Sequence, residues 1–198
     1  MFLFPLRSLT DRIHYIWHMK NLHILIAAFL LILLASCDSM TEKTVPKDEW
    51  STIETEDYSL QHPKEWKQQS QQQIGIEFSL MTARTSPKDE FKENINLVVQ
   101  DISNTNLDLE KYTAISEEQI MEGMENAELI SSERSNKHGE TAQQIIYTAS
   151  YGKRKLKFEQ YYWIKNDKAF VLTMTCEADQ FDEYKEVGEE ILESFRLK

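Results

Sequence analysis

Residues 155–198 read KLKFEQYYWIKNDKAFVLTMTCEADQFDEYKEVGEEILESFRLK. In 155–164 and again in 169–177, apolar and polar side chains alternate. Phe170, Leu172, Met174 and Cys176 fall on one side of the second run, and Val171, Thr173, Thr175 and Glu177 on the other. A period of two marks a strand with one buried face. The Asn166-Asp167 connection between the runs is short, which favours antiparallel neighbours. After Cys176 the period changes. Phe181, Tyr184, Val187, Gly188, Ile191, Leu192 and Phe195 line up at helical spacing, with Asp179 where a cap is expected. Glu183, Glu186, Glu189, Glu190 and Glu193 cover the opposite face, which reads as a solvated surface rather than an acidic metal site. A hairpin followed by a helix that must bury its stripe on the sheet makes an α+β domain.

The same patterns extend upstream. Short strands are expected at 58–61, 74–82 and 94–102, with a turn at His62-Pro63 and a polar loop over 85–93 that contains Pro87. Residues 107–126 predict a helix capped by Asn106 or Asp108, with a stripe of Leu109, Tyr112, Ile120 and Met124. Strands at 129–137 and 141–151 follow, turning at His138-Gly139 and Tyr151-Gly152. The expected fold is therefore α+β, with an antiparallel sheet of about six to seven strands flanked by helices. The stretch at 68–73, QQSQQQ, reads as a solvated connection.

The amino-terminal part has a different character. An uninterrupted apolar run of twelve residues, 24–35, ends at Ser36 and Cys37. A membrane-spanning helix needs about 20 apolar residues, whereas this run has the length of a signal-peptide core, with Lys20 as its positive flank. Leu34-Ala35-Ser36-Cys37 resembles the bacterial lipobox: an aliphatic residue, two small residues, then cysteine. That resemblance implies cleavage between Ser36 and Cys37 and acylation of the Cys37 thiol, so that fatty acyl chains such as palmitate hold the protein on a membrane. Asp38, directly after the cysteine, resembles the inner-membrane retention signal of enterobacterial lipoproteins. In a two-membrane host it implies the periplasmic face of the inner membrane. Arg7, Asp11 and Arg12 make residues 1–18 a poor leader, and Met19 is a better start. The expected organisation is a lipoprotein signal peptide over 1–36, a lipidated flexible tether over 37–56 whose Trp50 can dock on the domain, and a globular domain over 57–198.

Arg7, Arg12 and Lys20 against Asp11 are removed with the leader, which leaves 19 basic and 32 acidic side chains, a net charge of −13. Nucleic-acid binding needs clustered Lys and Arg, and a polybasic grip on anionic lipid needs the same. Neither partner is expected, and the acyl chains on Cys37 are the expected membrane contact. With Cys37 acylated only Cys176 remains, so no intramolecular disulfide forms. The alternation places Cys176 with Phe170, Leu172 and Met174 as a core residue. A catalytic thiolate would need His62 or His138 as its base.

Tyr58-Ser59-Leu60-Gln61-His62-Pro63-Lys64-Glu65-Trp66 resembles the opening strand and turn of the PsbP/Mog1/DcrB-like superfamily. The 94–102 strand and Leu109-Glu110-Lys111-Tyr112 stand where that family has a strand and the start of a helix. Gln160-Tyr161-Tyr162, Ala169-Phe170-Val171-Leu172-Thr173 and Ser194-Phe195-Arg196 resemble its closing hairpin and final helix. The resemblance implies a Mog1/PsbP-like α/β/α sandwich and, since most relatives bind other proteins, an accessory role with another envelope protein as partner. It carries no catalytic, metal or cofactor residue onto this chain.

The expected function is a lipid-anchored, non-enzymatic binding or accessory protein of the bacterial cell envelope. An immunity or inhibitor lipoprotein that neutralises a periplasmic toxin or enzyme is the alternative. A hydrolase using a carboxylate pair is the second alternative. No serine elbow, HExxH, CxxC or glycine-rich phosphate loop occurs. Tyr147 and Tyr151, with Tyr161 and Trp163 on the next strand, are many aromatics for one hairpin. They read as cross-strand packing or as an exposed patch that receives a partner. Packing is the favoured reading; Tyr161 and Trp163 share a face with Lys155, Lys157 and Glu159, opposite Leu156, Phe158, Tyr162 and Ile164, and if either face is exposed to a partner it is theirs.

Overall fold

Strands β7 (Glu140–Tyr151), β8 (Arg154–Lys165) and β9 (Lys168–Glu177) form an antiparallel meander in which Tyr147 faces Phe158 and Tyr161 faces Leu172. These are the alternating runs of the sequence, joined by two-residue turns. Asn166 and Asp167 both adopt positive φ, as do His138 and Gly139. Two consecutive positive φ values give a hairpin turn the twist of its strands, and Asn, Asp and Gly tolerate them best. The computed structural model of the protein describes residues 46–69, 75–84, 86 and 91–198, all within one compact unit spanning 36–198.

In chain order the other elements are a single 3-10 turn (Lys47–Glu49), β1 (Trp50–Glu54), β2 (Tyr58–Pro63), β3 (Lys67–Gln69), β4 (Ile76–Met81), β5 (Asn94–Asp101), α1 (Leu109–Gly123), β6 (Glu125–Lys137), α2 (Phe181–Glu193) and β10 (Arg196–Leu197). Seven strands form one antiparallel sheet in the order β3-β4-β5-β9-β8-β7-β6, and β1-β2-β10 form a second, smaller sheet. Asp108 caps α1, its carboxylate accepting the Lys111 backbone N–H at 2.8 Å.

Each face of the large sheet meets one helix. Phe170, Leu172, Met174 and Cys176 on β9, with Tyr161 and Trp163 on β8, lie under α2 and pack against Phe181, Ile191, Leu192 and Phe195. Gly188 brings α2 close to β9, since a Cβ added there would stand 2.2 Å from the Met174 sulfur. The opposite face carries Tyr147, Phe158 and Tyr162, and Tyr112 of α1 meets Tyr162 edge to face at 5.6 Å. Helices on both sides of one sheet make the α/β/α sandwich. Phe195, just past α2, joins the two sheets. Its ring lies 4.9 Å from Trp163 and 5.7 Å from Tyr58 of β2. Tyr58 in turn meets Phe78 of β4 at 6.1 Å. Ser194 ties the same corner, its Oγ accepting the Gln61 N–H and donating to the Gln61 carbonyl.

Four expectations are corrected. The tether over 37–56 is not flexible chain throughout: Trp50–Glu54 is β1, paired residue for residue with Pro63–Ser59, and Trp50 and Ile53 pack on the core. Its five residues carry little periodic signal, and the pairing with β2 makes the strand. Gln68 and Gln69 of the expected loop pair with Leu80 and Ser79 as part of β3. The helix expected to reach 126 stops at Gly123, and β6 begins at Glu125 instead of 129. Met124 is already extended, which turns the chain back along β7. Asp179 is not the cap of α2. Gln180 stands there and makes no side-chain cap bond.

Truncating Phe195 to alanine removes the ring shared by both sheets from a site that is 2 % exposed. Phe195→Ala should destabilise the domain by about 3–5 kcal/mol, a large part of a typical total of about 5–15 kcal/mol. A urea unfolding midpoint that is unchanged would show that the two sheets are held together elsewhere.

Candidate functional site

Ser36, Cys37 and Asp38, the expected processing, lipidation and sorting positions, lie outside the described residues. Tyr161 and Trp163 do not form an exposed partner surface. They are 5 % and 3 % exposed, stacked on each other at 5.7 Å under the end of α2. Alternation placed them correctly on one face with Lys157 and Glu159. That face is covered, because α2 and Phe195 lie on it, and Lys157 sets its ammonium 3.9 Å from the Phe181 ring centre. The opposite face is covered by α1, so neither aromatic set is free to receive a partner.

Cys176 is fully buried, and burial pushes its thiol well above the usual range, with the carboxylates of Glu93 and Glu159 adding to the shift. A thiol held protonated is a core hydrophobe. Neither histidine is placed as its base by a hydrogen bond. The Nδ1–H of His62 donates to the Pro63 carbonyl at 2.9 Å, and burial lowers its pKa. His138 sits 2.9 Å from the Glu193 carbonyl at the end of α2. The acidic face of α2 pairs with lysines, Glu190 with Lys47 and Glu193 with Lys137. Among the described residues, no three His, Cys, Asp or Glu side chains gather closely enough to hold a metal ion. None of the helices there is long and apolar enough to cross a membrane.

One surface remains that the sequence reading missed. Among the described residues the exposed large hydrophobics are Met121 (45 %), Leu129 (43 %) and Ile130 (55 %). Met121 lies in the last turn of α1. Leu129 and Ile130 lie on β6, the outermost strand of the large sheet, which pairs with β7 alone. The pairing accounts for Ile130, while Leu129 is opposite Tyr147 in the ladder. The register shifts between Leu129 and Ser131, so Ile130 is an extra residue that bulges from the ladder. Beyond the bulge, Ser131 to Lys137 pair one for one with Ile146 to Glu140. An outermost strand presents unpaired N–H and C=O groups along its free side. Glu118, Glu122, Glu125 and Glu128, all exposed, accompany the three apolar side chains. Two consecutive apolar residues in an otherwise alternating strand are the sequence signal that could have revealed this surface, since both cannot face the core.

The sequence profile of the PsbP family matches residues 52–197. No curated protein matches the chain. Solved structures are similar in fold. Cyanobacterial PsbP (CyanoP) from Synechocystis superposes with a TM-score of 0.57 at 16% identity, covering 83% of this chain and 99% of that one. LpqN of Mycobacterium tuberculosis, described as involved in cell envelope biogenesis, gives 0.56 at 12% identity, over 75% and 90% of the two chains. PA94 of Pseudomonas aeruginosa gives 0.54 at 16% identity, over 74% and 95%. At these identities the likeness is one of fold.

Glu159 is the acid that the α2 interface buries, at 2 % exposed. Gln144 donates to it at 2.6 Å. Burial raises its pKa above the ordinary 4.5, Glu189 on α2 raises it further, and Lys137 and the hydrogen bonds of Gln144 and Tyr161 oppose this. A folded-state pKa above the unfolded one gives stability that is full below 4.5 and is lost as pH rises through the folded value. Glu159→Gln, neutral at every pH, should therefore raise Tm at about pH 7.5 and bring no gain near pH 4. An equal change at both pH values would mean that the effect is packing and not charge.

Proposed function

This chain belongs to the PsbP family, and on that premise we propose that it is a lipid-anchored, non-enzymatic binding or accessory protein of the bacterial cell envelope. The observation that carries the reading is the order of parts. Twelve apolar residues end at Leu34-Ala35-Ser36-Cys37, and a family domain begins only a short span later, at residue 52. A thioether-linked diacylglycerol on Cys37 with a further acyl chain on its amino group gives stable anchorage, where a single chain gives only marginal affinity. The net charge of −13 keeps the body off anionic headgroups, so the acyl chains alone hold it there. Envelope work by LpqN, a structure of the same fold, is in keeping with this address. The non-enzymatic part is supported by the burial of Cys176 and by the engagement of both histidines with backbone carbonyls. The acidic surface alone favours a toxin inhibitor, and nothing more specific speaks for one.

Cys37→Ala should abolish acylation and release the protein from membranes, read by metabolic labelling with an alkynyl fatty acid and by fractionation. A variant that is still processed and labelled would overturn the lipobox reading.

Asp38 is the residue that assigns the membrane. In a host with two membranes the wild type should fractionate with the inner membrane, and Asp38→Ser should move it outward. Identical fractionation of the two would leave Asp38 as the first residue of an acidic linker.

A further inference from the structure

We propose that the outer edge of β6 and the adjoining last turn of α1 form a docking surface for an extended segment of another envelope protein, apolar at its centre and basic at its flanks. This deepens the reading of the chain as a binding protein and rests on it. Met121, Leu129 and Ile130 are the exposed large hydrophobics among the described residues, and all three fall within ten residues of chain, in the last turn of α1 and on the β6 strand that follows it. Single apolar residues at a surface are ordinary; three together beside an unpaired strand edge mark an interaction site. The free backbone of β6 supplies hydrogen bonds to any extended chain, and Ser131 to Lys137 offer it a run free of register shifts.

Charge decides what kind of chain. Glu118, Glu122, Glu125 and Glu128 accompany the apolar centre, all exposed, and Lys155 stands 3.1 Å from Glu128 on the surface. Anionic headgroups are repelled by such carboxylates, which excludes a membrane as the occupant. A second copy laid edge to edge in parallel would set the same carboxylates against one another, and like charges brought together weaken an interface; an antiparallel copy is an outcome the crosslinking distinguishes. A partner with Lys or Arg on either side of its apolar residues satisfies both the centre and the acidic surround.

The test uses the full-length lipidated chain with a photo-crosslinking amino acid at Ile130, and separately at Asn104 in the exposed loop before α1 as a control. The Ile130 position should give one discrete adduct, whose crosslinked peptide is apolar with flanking Lys or Arg by mass spectrometry. Adding Glu118→Lys, Glu122→Lys and Glu125→Lys to the same chain should reduce that adduct by roughly tenfold without lowering the Tm. An adduct with a second copy or with phospholipid overturns the proposal, as does one that the three substitutions leave unchanged. An adduct from Asn104 alone keeps the binding reading and removes β6 as its surface. No adduct from either position counts against both.

Discussion

Phe195 occupies the place where α2, the large sheet and the small sheet meet. Its ring touches Trp163 of the large sheet on one side and Tyr58 of the small sheet on the other. Tyr161 extends the stack beyond Trp163, and Phe78 extends it beyond Tyr58. The two sheets share no strand. This run of rings and the Ser194–Gln61 hydrogen bonds beside it join them, together with the Lys168–Asp57 ion pair and the apolar contacts of Leu60 and Ile53. The constraint propagates backwards along α2. Once Phe195 is seated the helix must lie across β9, and Gly188 is the residue whose missing side chain admits Met174. The stretches resembling the family at 58–66, 160–173 and 194–196 are separated widely in sequence, and they converge on this corner. What the family keeps in common is thus an architecture, which is why a fold-level likeness reveals little about chemistry.

The large sheet treats its two faces differently. Under α2 the contacts are almost wholly apolar, from Leu80 and Leu97 to Leu172 and Met174. The other face carries a buried polar row across the central strands, where Ser79 stands opposite Asn96, Asn96 opposite Thr173, and Thr173 opposite Gln160. Part of that row is linked. Gln160 donates to Thr173 at 3.0 Å and accepts from the Tyr162 hydroxyl at 2.5 Å, and Tyr112 of α1 donates to Gln100 at 2.7 Å. Directional bonds between α1 and the sheet set the register of that helix, where an apolar contact alone would let it slide. The same arrangement leaves the last turn of α1 beside the free edge of β6, so the packing that completes the core also composes the exposed surface.

The chemistry follows from where charge is allowed to sit. Buried titratable groups such as Glu159 and Cys176 are pushed toward their neutral forms, and a neutral buried thiol is a poor nucleophile. The many carboxylates of α1 and α2 stay on the outside, where water solvates them and lysines on neighbouring elements pair with some. A domain built this way presents shape, apolar side chains and charge to its surroundings, the means by which proteins recognise one another.

Much of this was legible in the sequence, for a local reason. β7, β8 and β9 are long alternating runs whose partners lie a two-residue turn away, so each strand and its pairing are written together in adjacent residues. The stripe of α2 is as plain, and the fate of Cys176 followed from its place beside Met174 and Leu172. The expected leader and the proposed lipidation of Cys37 rest on sequence alone, since processing enzymes act on the order of residues and not on a fold. β1, β3 and β10 were not legible, because strands of five, three and two residues exist only through the distant chain that pairs with them. Tyr161 and Trp163 mark the same limit. Period two assigns them to one face and Tyr162 to the other, but which face is covered depends on where α1 and α2 land, and here both faces are. The position of β6 at the rim is likewise a property of strand order. Sequence by itself determined the long strands, the two helices and the hairpin turns; only the tertiary structure decided what is buried and what is exposed, because burial is set by residues far away along the chain.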